Sequence, residues 1–187
     1  METKRSHDEL VEILDRNSSW IENCDNKASI ILGMIGVVAG IFLATDYVGK
    51  IYNIILHMTS KENLSFGSIV FLLILTLSVL GMIIGCLLLI KVLVPRYKIE
   101  EYKRRGINKE SVIHYSSIAK HKSFTKYKNK LIRLSNEDMS EDIMEQIYVC
   151  AIICQKKFTA YKSGLYFCTV SFLIFVLMVT LGFVITK

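Results

Sequence analysis

Three stretches of this chain are long, apolar and free of charge: residues 28–45, 66–90 and 163–186. At about 1.5 Å of rise per residue, the shortest run can just cross a bilayer core of roughly 30 Å, and the two longer ones cross it with residues to spare. A charge at mid-membrane costs about 2.5–3.5 kcal/mol on insertion scales, so a charge-free window is what a spanning helix needs. The alternative, a buried helix of a soluble core, rarely stays uncharged over such a length. Three membrane spans are therefore expected, the second running on to about residue 94.

The first run begins after an acidic arm holding Glu2, Asp8, Glu9, Glu12, Asp15, Glu22 and Asp25. A secretory leader starts basic and ends at small residues, so this run reads as a retained helix. Pro occurs once, at Pro95, and no Gly/Ser-rich tract interrupts the chain. Long helices fit that composition better than a loop-rich fold. The expected fold class is an all-α membrane protein, with spans one and three extending into a small cytoplasmic helical bundle. The expected divisions are a cytoplasmic helix over 1–27, spans over 28–45, 66–94 and 163–186, an external linker over 46–65, and a basic cytoplasmic helical region over 95–162.

Charge sets the expected orientation. Of the 23 Lys and Arg residues, 16 fall within 91–162, whereas 46–65 holds only Lys50 and Lys61. Positive residues stay on the cytoplasmic side and acids contribute little to topology. The N-terminus and 91–162 are expected inside, 46–65 and the C-terminus outside. Trp20, Tyr47, Tyr52, Tyr97, Tyr161 and Tyr166 lie near span ends, where interfacial aromatics belong.

Between the spans the periodicity is helical. Leu10, Ile13, Leu14, Ile21 and Cys24 form a stripe with one polar break at Asn17, and it leads into Ala28 and Ile31 without a Gly or Pro. Residues 123–134 predict a short amphipathic helix, with Phe124, Tyr127, Leu131 and Leu134 on one face and Lys122, Lys126, Lys128, Lys130 and Arg133 on the others. Ser135 and Asp138 predict a capping box, followed by acids that suit a helix N-terminus. Met139, Ile143, Ile147, Cys150, Cys154, Phe158 and Tyr161 then continue a stripe, so one helix is expected from about 137 to 185.

Patterns for catalysis are sparse. His7-Asp8 is a lone HD pair, and His57, His114 and His121 lie on different expected elements. Cys150 and Cys154 are one turn apart without further ligands, a poor zinc site. No phosphate loop or nucleophile elbow occurs. No enzyme activity, catalytic residue, metal, cofactor or nucleic-acid partner is expected. Gly36 and Gly40, and again Gly81 and Gly85, are spaced four apart within spans. This spacing suits close helix packing, within a subunit or between copies, and is also simply common in membrane helices. The basic stretch around Arg104 and Arg105 suits anionic headgroups first and a ligand phosphate second.

Several segments together resemble the Pycsar transmembrane effector family. They are Trp20-Ile21-Glu22-Asn23-Cys24-Asp25-Asn26-Lys27-Ala28-Ser29 at the entry to span one; His114-Tyr115-Ser116-Ser117-Ile118-Ala119, followed by Phe124; and Glu145-Gln146-Ile147-Tyr148 with Lys156-Lys157-Phe158 before the last span. The resemblance implies a bacterial antiphage effector in the inner membrane. It would respond to a cyclic pyrimidine nucleotide (cCMP or cUMP) made by a partner cyclase and impair membrane integrity. A separate nucleotide-binding domain is not recognisable, so a ligand would have to bind the helical cytoplasmic part. The residues that suit an anion with an aromatic base are Arg104, Arg105, Lys120, Lys122 and Lys126, with Tyr115, Phe124 or Tyr127 for stacking. Asp25 and Lys27, at the inner boundary, are alternative candidates for switch residues, and a homo-oligomer is expected in the bilayer. The competing readings are a holin-like pore and a membrane scaffold without a second messenger.

Overall fold

A computed structural model describes residues 7–61, 64–94, 107 and 111–186. The described residues form helices and connecting turns, with no strand among them. Helix α1 runs His7–Ala44, α2 Tyr47–Thr59, α3 Phe66–Leu93, α4 Tyr115–Ile118, α5 Phe124–Arg133 and α6 Asn136–Ile185. The long helices α1, α3 and α6 each contain a window apolar enough to cross a membrane. The expected capping box forms at the start of α6. Ser135 Oγ accepts the Asp138 N–H at 3.1 Å, and Asp138 Oδ2 accepts from Ser135 N–H at 3.2 Å and from Ser135 Oγ–H at 2.7 Å. Those bonds hold the Asp138 carboxyl below its usual pKa.

The chain divides into two compact units: Met1–Cys24 with Pro95–Lys157, and Asp25–Val94 with Phe158–Lys187. The second is apolar. Gly85 packs so closely on α6 that an added Cβ would lie 2.7 Å from the Cys168 backbone N and 3.0 Å from Gly164 O, and a Cβ on Gly81 would run into the Ser171 hydroxyl. In lipid, apolar surface gains little from leaving its surroundings, so such backbone proximity is what holds helices together. Gly36 and Gly40 of α1, expected as packing residues like Gly81 and Gly85, are different: a Cβ on either would meet nothing within 4 Å.

Residues 46–65, expected as a linker, contain α2. Its Ile54 and Met58 are buried with Phe71 and Leu75 of α3 and Met178 of α6. The physical reason lies in α2's own spacing: Ile51, Ile54, Ile55 and Met58 share one face. Gly182 of α6 completes the fit, since a Cβ there would come 2.9 Å from Ile54.

The first unit is polar where the second is apolar. Its part of α6 buries Ile143, Val149 and Cys154, but also Asp142, Gln146 and Lys157. The inward stripe therefore lies partly beside the expected one: Phe158 is exposed and Ile147 and Cys150 are half-buried. Burial raises the pKa of the Cys150 thiol in this unit.

Candidate functional site

A strap of chain leading into α4 organises the polar unit. Ser111 Oγ accepts the N–H groups of Ile113 (3.2 Å) and His114 (3.0 Å), folding the strap into a tight turn. Next to it, the Val112 N–H donates to Asp142 Oδ2 of α6 at 2.7 Å, and the Val112 C=O accepts the Tyr127 hydroxyl of α5 at 3.2 Å. One residue of the strap is thus tied to two helices. His114 caps α4: its Nδ1 accepts the Ser116 N–H at 3.3 Å and lies 2.8 Å from Ser116 Oγ. Its pKa is lowered by burial, opposed by the Asp142 carboxylate and assisted by Lys120. Because a backbone N–H can only donate, Nδ1 is the acceptor in this cap.

A groove of about 630 Å³ opens between α5, the strap and the first turns of α6. Its α5 wall carries Lys126, Asn129, Lys130 and Arg133, and its α6 wall carries Asp138, Glu141, Asp142 and Glu145. The volume falls in the range of small-molecule sites. The two walls have opposite charge, so the groove suits a molecule with an anion at one end and hydrogen-bond donors at the other.

The residues singled out from the sequence are dispersed. Lys126 lines the groove. Tyr127 lies beneath the strap, its hydroxyl used on Val112 and its ring 5.6 Å from that of His121. Tyr115 and Phe124 are 69 % and 76 % exposed, and Lys120 and Lys122 are exposed and do not line the groove. Asp25 is half-buried and Lys27 exposed. Arg104 and Arg105 lie outside the described residues. Sequence reasoning missed Asp142 as a site residue. It read as one of several acids serving the helix dipole, although its position beside Ile143 on an apolar stripe was a signal that it points inward. Lys130 and Arg133 read as solvated cover.

A second cleft, in the apolar unit, is lined by Lys50, Asn53 and His57 of α2 and by Thr180, Phe183 and Val184 of α6. It exists because α2 turns its apolar face to α3 and α6 and leaves its polar face outward.

Comparison with known proteins places the chain. The model of the Pycsar effector protein domain matches residues 9–185, taking in residues of both compact units. The chain is also similar to the Pycsar effector protein GmPycTM of Gulbenkiania mobilis, at 25 % identity over 177 residues, covering 91 % of this chain and 90 % of that one. No solved structure matches it. With three helices apolar and long enough to cross a bilayer and a family match over nearly its whole length, the chain is a membrane protein that belongs to the Pycsar effector family of antiphage effectors.

Proposed function

We propose that this protein is an inner-membrane effector that responds to a cyclic pyrimidine nucleotide, cCMP or cUMP, by impairing membrane integrity, so that an infected cell stops growing or dies. The family match over residues 9–185 carries this reading. It acts without catalysing a reaction. The N-terminus and the polar unit face the cytoplasm and the C-terminus faces outward, in keeping with the 16 basic residues within 91–162. Helices α1 and α6 contribute residues to both units, so a ligand that favours one packing of the polar unit would bias the spans through continuous helix. The open Gly36/Gly40 face of α1 supports assembly of several copies in the bilayer.

The test is membrane potential, followed with a voltage-sensitive dye in cells that express the protein at low level and lack a cyclase. Permeant esters of cCMP or cUMP should depolarise them within minutes, and an inactive nucleotide should not. If neither pyrimidine nucleotide depolarises the cells, the second-messenger reading fails. Toxicity at the same low level without any nucleotide would instead mark a holin-like pore.

A further inference from the structure

Asp142 is 9 % exposed and lines the groove, yet only half of its carboxylate is used. Oδ2 holds the Val112 N–H, whereas Oδ1 is closed to water and accepts no hydrogen bond. A buried acceptor without a donor is uncommon in a folded protein, because it has lost its water and gained nothing in return. On the facing wall, Lys126, Lys130 and Arg133 stand on successive turns of α5 and supply the groove's positive charge.

We propose that this groove binds a small phosphate-bearing ligand, with Lys126, Lys130 and Arg133 receiving the anion and Asp142 accepting a hydrogen bond from an N–H or amino group at the ligand's other end. Carboxylates are the acceptors that suit such edges, as with the exocyclic amine of cytosine. Two sources share this chemistry: a free nucleotide and the phosphoethanolamine headgroup of a lipid. The nucleotide assignment rests on the functional reading above; the groove assignment does not. Because Oδ1 is closed to water, the carboxylate must turn to reach the ligand, and that turn draws on its bond to Val112. Ligand binding would thereby loosen or reset the strap that Tyr127 holds from the other side, giving the ligand a differential grip on two packings.

The experiment uses the full chain in phosphatidylcholine nanodiscs. Binding of cCMP, cUMP and soluble phosphoethanolamine is measured by calorimetry for wild type, Asp142→Asn and Lys130→Ala/Arg133→Ala. Asp142→Asn can keep an oxygen for Val112 and replaces the unused acceptor with a donor. The double variant alters only the α5 wall, so the groove is still tested if Asp142→Asn fails to fold. The expected result is binding by wild type and a loss of about tenfold or more in each folded variant. If phosphoethanolamine alone binds and the variants lose it, the groove stands and the nucleotide reading falls. If cCMP or cUMP binds equally to wild type and the folded variants, the groove is overturned while the nucleotide reading stands. Absence of binding by all three probes overturns the groove, and the depolarisation assay then decides the functional reading separately.

Discussion

The two compact units are held together by opposite means. In the apolar unit, helices meet where a side chain is missing: Gly85 against Gly164 and Cys168, Gly81 against Ser171, Gly182 against Ile54. In the polar unit, elements meet where a polar group is buried and bonded, with Val112 between Asp142 and Tyr127. The difference follows from the solvent each is suited to. Lipid offers no hydrophobic gain for packing apolar faces, so shape must do it. In water, apolar burial is favourable, and hydrogen bonds then choose among the packings it permits. A close-packed apolar contact tolerates little change, whereas a hydrogen-bonded strap can exchange partners. The polar unit is therefore the better place for a ligand to act.

The largest expected effect tests the apolar side of that contrast. Gly85→Leu would drive a side chain into the α6 backbone, which cannot yield as a flexible side chain could. It should destabilise the protein by about 3 kcal/mol or more, read as poor accumulation in membranes and a lowered unfolding temperature in detergent. A wild-type unfolding temperature would mean that the close approach of α3 and α6 is wrong. On the polar side, Asp142→Ala removes the acceptor from a buried N–H and should cost about 2 kcal/mol. Faster hydrogen exchange at Val112 should accompany it. Ser135→Ala breaks the capping box at an exposed site and should cost about 1 kcal/mol by thermal unfolding.

A smaller effect is a pH dependence. The folded-state pKa of His114 lies below its ordinary value of about 6.5. The unfolded chain therefore takes up a proton that the folded one resists, and stability falls as pH drops through about 6.5, levelling off below the folded-state value. His114→Gln should flatten the unfolding temperature measured between pH 7.5 and 5.5 relative to wild type. The smallest effect is expected at Gly36→Leu, which should leave the unfolding of the single subunit within about 0.5 kcal/mol, because its surroundings are open. Loss of assembly in the bilayer with unchanged subunit folding would sharpen the difference between the two glycine pairs. A large loss of subunit stability would erase it.

Much of the architecture was legible in the sequence for local reasons. The absence of charge over 66–90 and 163–186 excludes most alternatives to a membrane span, since each residue contributes its own transfer cost. The helical stripe of α1 and the Ser135–Asp138 box concern residues within a few turns of each other, so spacing is enough to find them. Tertiary structure decided the rest, because it turns on pairs far apart in the chain. Identical glycine spacing in α1 and α3 does not say which face meets a neighbour; only the position of Gly164 and Cys168 does. The apolar face of α2 is visible in its sequence, but its role depended on Phe71 and Met178 being there to cover it. Asp142 looks like any acid near a helix start until Val112, 30 residues away, brings an N–H to one of its oxygens and leaves the other without a donor. A linear pattern records how each residue prefers to be solvated, whereas a site depends on which residues the fold makes neighbours.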